Sequence, residues 1–313
     1  MENKIQRWQM VSRQKLPLWM KEELTSNRIR AWYEYWNGEV YISFSGGKDS
    51  TVLLYQVRKL YPNVKAVFVD TGLEYPEIRD FVKTIDNVEW IKPKYTFKEI
   101  LDKYGFPVVS KGVSQKITEA KTTKSAKLLY KRLHGDNNAY KSGKIPNKWQ
   151  YLIQSPFKIS HKCCHYLKEQ PLQSFEKQSG MKSFIGLMAN DSLARMQKLL
   201  KGGCNAFETK KQQSNPIAFW LEQDIWKYIK KYELPYSKIY DMGYKRTGCM
   251  FCMFGVHLEK GQNRFQRMSQ THPKQYNFCI NKLGLGEVLD YIGIDYKKYT
   301  PSIDDMIKNI QQY

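Results

Sequence analysis

Between residues 18 and 36 apolar and aromatic side chains return at helical spacing (Trp19, Leu24, Ile29, Trp32, Tyr33, Trp36), and Asn37-Gly38 supplies a stop. This predicts an N-terminal helix ahead of the core. Residues 40–44 form a short apolar run of the kind that makes a buried strand, and beyond a glycine pair Leu53, Val57 and Leu60 share one face of a helix over 49–61. Pro62-Asn63 ends that helix. A second short strand is expected over 65–69, a helix over 76–85 with proline in its first turn, a third strand over 88–91, and a helix over 97–104 that Gly105 terminates. Strand and helix alternating in this way predict a parallel sheet with helices on both faces. Residues 106–160, broken by Gly135, Gly143 and Pro146, read as an insertion with some helix. Regularity returns with a helix over 167–175, a strand over 183–186 and helices over 193–200 and 222–232; residues 261–313 read as a helical tail.

The junction of the first strand and its helix holds the densest chemistry. Two glycines, Gly46 and Gly47, let the backbone turn tightly and bring N–H groups against an anion, while the helix that follows directs its positive end to the same place. Lys48 and the hydroxyls of Ser45, Ser50 and Thr51 add donors. The spacing is not that of a Walker loop, which needs four residues between its first glycine and the Gly-Lys pair. An ordinary glycine-rich turn that binds nothing is the bland alternative; the crowding of Ser, Lys, Asp and Ser into one turn speaks for phosphate binding.

Ser43-Phe44-Ser45-Gly46-Gly47-Lys48-Asp49-Ser50 behind an apolar strand resembles the signature of PP-loop ATP pyrophosphatases. Further stretches narrow the resemblance to the phosphoadenosine phosphosulfate (PAPS) reductase family. Val69-Asp70-Thr71-Gly72-Leu73-Glu74-Tyr75-Pro76-Glu77 is similar to that family's second motif, which lies beside the nucleotide. Lys162-Cys163-Cys164, with Lys168 and Pro171-Leu172, resembles its Cys-Cys segment, and Gly186 with Asp191, Ser192 and Arg195 its later phosphate-contacting stretch. The similarity runs from residue 40 to residue 255. It implies a Rossmann-like α/β fold of the adenine nucleotide alpha-hydrolase kind. The expected division is an N-terminal helical extension (1–37), a PP-loop nucleotide-binding domain (38–235) carrying the basic insertion, and a Cys-containing segment with a helical tail (236–313).

Sulfonucleotide reductases of this family replace the Gly-Gly-Lys-Asp turn and use a cysteine in a Glu-Cys-Gly setting near the C-terminus. Here the turn is intact, and the last cysteine, Cys279, lies between Phe278 and Ile280. The resemblance therefore implies ATP, cleaved between its α- and β-phosphates with release of pyrophosphate. Gly46, Gly47, Lys48 and Ser50 would hold the pyrophosphate; Asp49 or Asp70 would orient Mg²⁺ or the ribose; Arg195 would meet the α-phosphate or the acceptor. Ser43, Ser45, Thr51, Thr71, Gly72 and Gly186 complete the expected nucleotide site.

Six cysteines fit a reducing compartment better than a disulfide framework. Cys249-Met250-Phe251-Cys252 is a CxxC, open to zinc, redox or incidental readings, and Cys163-Cys164 lies well upstream. Together they resemble the iron–sulfur signature of adenylylsulfate reductases and related sulfur-transfer enzymes, which implies a [4Fe–4S] cluster on Cys163, Cys164, Cys249 and Cys252, with Zn²⁺ as the alternative.

Fifty-one basic against thirty acidic side chains give a net charge of +21, enough to attract phosphate-bearing partners from beyond contact distance. Residues 111–150 hold nine Lys and one Arg against Glu119 and Asp136, with Tyr130, Tyr140 and Trp149 as stacking faces. A solvated insertion is the plain alternative. No apolar stretch is long enough to span a bilayer, so a soluble cytoplasmic protein without membrane attachment is expected. The resulting expectation is an ATP-dependent, iron–sulfur-assisted sulfurtransferase acting on DNA or tRNA, with or without a partner protein. A sulfonucleotide reductase and a non-catalytic nucleotide-dependent nucleic-acid-binding module are the alternatives.

Overall fold

The computed structural model describes residues 5–136, 142–297 and 299. Tyr140 and Lys141 of the basic insertion, and residues 298 and 300–313 of the expected helical tail, lie outside them. The described chain forms two compact units: the first comprises residues up to Pro93 together with Lys168–Thr247, the second Lys94–Leu167 and the residues from Gly248 onward. Eight short strands are present among the described residues: β1 (Val40–Ser43), β2 (Ala66–Val69), β3 (Val88–Ile91), β4 (Val108–Val109), β5 (Lys182–Ile185), β6 (Asn205–Ala206), β7 (Gln213–Ser214) and β8 (Met253–Phe254).

The first unit is built on a six-stranded sheet of order β3-β2-β1-β5-β7-β6. The pairs from β3 through β7 are parallel, and β6 runs antiparallel to β7, so the sheet is mixed at one edge where an all-parallel one was expected. Ile42 pairs with Ala66 on one side of β1 and with Phe184 on the other. Tyr41, Ile42, Phe68 and Phe184 are buried, as strands covered by helices on both faces require. The chain leaves β1 toward β2 and β3, then returns to β5 on its opposite side. That reversal makes the carboxyl end of β1 a topological switch point, the place where open α/β sheets receive ligands.

Helices flank this sheet. Leu18–Tyr35 buries Lys21, Thr25, Ile29 and Trp32, a stripe with helical spacing. Lys21 is a buried cation on that stripe; its Nζ donates to Asp224 at 2.5 Å and to the Gln14 carbonyl at 2.8 Å, so the charge is both paired and hydrogen-bonded. Lys48–Leu60 follows β1 and buries Val52, Leu53, Leu54 and Val57. Pro76–Lys83 follows β2, with proline in its first turn as expected.

In the second unit β4 pairs in parallel with β8. Thr96 caps Phe97–Tyr104 with a reciprocal capping box to Glu99, and Ser110 and Ser125 cap Lys111–Thr122 and Ala126–His134. Much of the insertion's positive charge is used internally. Lys116 donates to the Lys144 carbonyl, Lys121 to the carbonyls of Ser155 and Phe157, and Arg132 to Glu119 and the Gly143 carbonyl, while Lys131 pairs with Asp136. Among the described residues no helix is long and apolar enough to cross a membrane.

Candidate functional site

The glycine turn sits at the carboxyl end of β1, within the first unit. Gly46 has φ +69°, and a Cβ there would lie 2.7 Å from Val82 and 2.8 Å from Ile78, so the position admits only glycine. Gly186, just past β5, packs against the start of the helix Lys48–Leu60: a Cβ would come within 3.1 Å of the Ser50 backbone. The turn is wired from within. Ser50 Oγ donates to the Gly47 carbonyl at 2.8 Å and receives the Ser45 N–H at 3.2 Å, while Thr51 Oγ1 also donates to the Gly47 carbonyl. Ser43 closes β1 beneath this arrangement.

Around the turn the charged side chains converge. Lys48 is buried; its ammonium lies 3.3 Å from Glu222 and 3.7 Å from Asp49, and it donates to the Lys245 carbonyl. Burial works to lower the Lys48 pKa, but the charges of Asp49, Tyr240 and Glu222 outweigh it and leave the pKa raised. Asp49 is pushed up, first by burial and then by Asp191 and Glu222, against the opposing pull of Lys48. Its Oδ1 is buried with no hydrogen-bond partner among the described residues. Arg195 pairs with Asp191 one helical turn before it, so the guanidinium expected to meet a phosphate is held by a carboxylate in this state.

The second motif makes an adjoining turn at the end of β2. Asp70 accepts from Arg79 at 2.9 Å and from the Gly72 N–H at 3.3 Å. The Thr71 hydroxyl and N–H both donate to the buried Glu74 carboxylate, and Lys168 lies 3.8 Å from Glu74. Gly72 has φ +74°, which lets the loop reverse after Thr71.

An unexpected segment closes over the turn. The Lys48 N–H, one of the helix-terminal donors that have no intrahelical acceptor, donates to the Tyr240 hydroxyl at 2.8 Å. A Cβ on Gly47 would lie 2.8 Å from Thr247 Oγ1 and 3.4 Å from the Tyr240 hydroxyl. The turn read as an open clasp for a triphosphate is thus partly occupied by protein hydroxyls. Tyr240 and Thr247 left no trace in local sequence patterns, because the Tyr240 partner lies 192 residues away. Glu222, likewise far from Lys48 in sequence, was missed for the same reason, while Arg79 lies nine residues from Asp70 on the helix that follows the second motif.

Cys163, Cys164, Cys249 and Cys252 gather within the second unit, near enough to perturb one another. The Cys163 and Cys164 sulfurs are 4.0 Å apart. The Cys163 thiol is pushed far up, first by the hydrogen bond with Cys164, then by burial, and further by Cys252 and Cys249. Cys252 is pushed up to about 11, mainly by burial. Nevertheless, among the described residues no group of three or more His, Cys, Asp or Glu could hold a metal ion. The expected [4Fe–4S] cluster and its zinc alternative are therefore corrected: the four sulfurs come together without the grouping of ligands that either site requires. Asp70, expected with Asp49 to orient Mg²⁺ or the ribose, has its carboxylate held by Arg79 at 2.9 Å.

Residues 39–254 match the phosphoadenosine phosphosulfate reductase domain family. An uncharacterized protein of Methanocaldococcus jannaschii is 28% identical over 267 residues, covering 83% of this chain and 46% of that protein. The chain spans about half the length of the archaeal relatives it matches, 46% of one and 52% of another. An adenosine 5'-phosphosulfate reductase of Staphylococcus haemolyticus is 26% identical over 227 residues, 70% of this chain and 72% of that enzyme. A crystal structure of the PAPS reductase of Candida auris, a phosphate complex, superposes with a TM-score of 0.42 at 16% identity, covering 78% of this chain and 96% of that one.

Proposed function

The chain belongs to the phosphoadenosine phosphosulfate reductase domain family, and from that premise we propose that it is a sulfonucleotide reductase, acting on adenosine 5'-phosphosulfate or its 3'-phosphorylated form. This replaces the expectation of an ATP-cleaving, iron–sulfur-assisted sulfurtransferase, which the absence of a metal-holding group among the described residues contradicts. The intact Gly-Gly-Lys-Asp turn speaks for ATP in sequence, and the observation that carries the proposal against it is the Tyr240 hydroxyl taking the Lys48 N–H at the switch point of the sheet, in a chain 26% identical to an adenosine 5'-phosphosulfate reductase. The turn, Lys48 and Ser50 would hold the phosphosulfate tail, Asp70, Thr71 and Gly72 would line the nucleotide, and Arg195 would exchange Asp191 for a substrate oxygen. Binding an anion would likewise release Lys48 from Glu222.

The reaction consumes two thiols. The bond between the bridging oxygen and the sulfate sulfur breaks, adenosine monophosphate leaves (or its 3'-phosphorylated form), and the sulfur emerges as sulfite. The two thiols become a disulfide and give up two protons. We assign the electrons to a protein or small-molecule dithiol, which also gives the enzyme its partner and its reducing, cytosolic setting. Purified protein with adenosine 5'-phosphosulfate or PAPS and a dithiol is expected to release sulfite, and Lys48→Ala to lower the rate at least about tenfold, the order of a lost charge-assisted contact. Serine replacement of Cys164 and Cys249 in turn tests whether a thiol of the chain takes part. Absence of sulfite from either nucleotide contradicts the proposal.

A nucleic acid is the second partner we propose, on a separate observation. In the second unit Tyr104 stacks on Tyr166 with centroids 4.8 Å apart, and Lys103 and Lys162 lie 5.4 Å and 4.8 Å from the Tyr104 ring. Lys94 and Lys103 flank Tyr95 in the same way. Aromatic faces among cations suit single-stranded nucleic acid. Binding of a labelled single strand should weaken steeply with salt and with Tyr104→Ala; no binding at low salt removes the nucleic acid from the picture.

A further inference from the structure

We propose that Tyr240 and Thr247 set the length of nucleotide tail that the glycine turn accepts, admitting a phosphosulfate and excluding a triphosphate. This rests on the sulfonucleotide reading above and adds the means of selection. A triphosphate gripped by a glycine turn draws on successive backbone N–H groups at the head of a helix, each donating to a phosphoryl oxygen. Here the Lys48 N–H is already committed to the Tyr240 hydroxyl at 2.8 Å. The space that glycine leaves above residue 47 is filled by Thr247 Oγ1 and the Tyr240 hydroxyl, which lie 3.3 Å from each other.

Tyr240 is held in place from several sides. Its ring meets Trp226 edge-on at 5.3 Å, and the Lys48 ammonium lies 5.6 Å from its centroid. It belongs to a short 3-10 turn, Lys238–Tyr240, capped by the Ser237 side chain. Tyr244, further along the same segment, packs on Tyr75 of the second motif at 4.8 Å. Burial pushes the Tyr240 hydroxyl pKa up, so it remains a neutral group that can accept from the amide. A third acidic group on the tail would have to displace this hydroxyl and lose the contacts that position it. A two-group tail leaves them intact. The serine and glycine residues of the turn therefore look alike in sequence to those of an ATP-binding loop, while a tyrosine far along the chain changes what the loop can hold.

The test is calorimetric titration of the whole chain, without added metal, with adenosine 5'-phosphosulfate, ADP and ATP. The unaltered protein is expected to bind adenosine 5'-phosphosulfate and ADP at least about tenfold more tightly than ATP, the order of one charge-assisted hydrogen bond. Tyr240→Phe, which keeps the ring and frees the Lys48 N–H, should shift the ATP-to-phosphosulfate affinity ratio about tenfold toward ATP. Thr247→Ala should shift it in the same direction. Equal affinity for ATP and adenosine 5'-phosphosulfate in the unaltered protein overturns the selection, as does a ratio unmoved in both variants, while leaving the sulfonucleotide reading in place. Failure to bind adenosine 5'-phosphosulfate at all overturns that reading, and the selection with it.

Discussion

Asp49 concentrates the tension between stability and binding in a single side chain. It has a buried oxygen without a hydrogen-bond partner among the described residues, and burial raises its pKa. A carboxyl whose folded pKa is raised favours the folded state fully below its unfolded pKa, and that contribution is lost as pH rises through the folded value. At neutral pH the charge is thus a cost, which a bound ligand offering a hydroxyl or ammonium donor would offset. Asp49→Asn, which removes the buried charge facing Asp191 and Glu222, is expected to raise stability at pH 7 by about 0.5–1 kcal/mol, a small effect on the scale of single substitutions, while weakening nucleotide binding. Urea unfolding and nucleotide titration of the same preparation check both halves; a loss of stability at pH 7 contradicts this assignment. Asp49 was legible as a site candidate because it stands inside a dense local motif. The electrostatic setting of its carboxylate was not, since that depends on Asp191, Glu222 and Lys48 being brought around it by the fold.

At the scale of elements, the strand, turn and helix that open the nucleotide site could be read directly from periodicity and punctuation. The structure has β1 followed by Lys48–Leu60 where a strand and a helix were expected, and it has Val88–Ile91 as β3. The two-residue strands β6 and β7 were not legible, because two residues carry no alternation to detect, and their pairing converts one edge of the sheet to antiparallel. The segment carrying Tyr240 and Thr247 was hidden for a different reason: its effect on the glycine turn is purely tertiary. Gly186 illustrates how tightly the elements meet. Gly186→Ala would press a methyl group against the backbone of Asp49 and Ser50, at 3.1–3.2 Å, where no flexible side chain can yield. The expected cost is about 1–3 kcal/mol of stability, together with weakened nucleotide binding as the helix start shifts. Wild-type stability and affinity in that variant would contradict the close approach.

Across the whole molecule, charge and thiol burial set the response to solution conditions. Burial pushes the Cys252 thiol up to about 11 from the usual 9.0, and it raises Tyr41 and Cys279 as well. These groups stabilise the folded state fully below their unfolded pKa values and lose that contribution as pH climbs through the folded ones. Stability should therefore decline as pH rises from 9 toward 11, before Cys252 itself ionises in the folded chain; a flat profile in urea unfolding across that window contradicts the thiol assignment. Net charge was legible from composition, but its deployment was not. Lys116, Lys121 and Arg132 read as surface cations for a polyanion, and instead bond to carbonyls and to Glu119 inside the second unit. The four clustered cysteines likewise read as a metal site, and the fold gathers them without giving them metal-holding geometry.

The glycine turn's choice of nucleotide is read out by a competition assay. With equal concentrations of ATP and adenosine 5'-phosphosulfate and an excess of dithiol, the purified protein should release sulfite and adenosine monophosphate, with ATP left intact. Pyrophosphate accumulating without sulfite would contradict it.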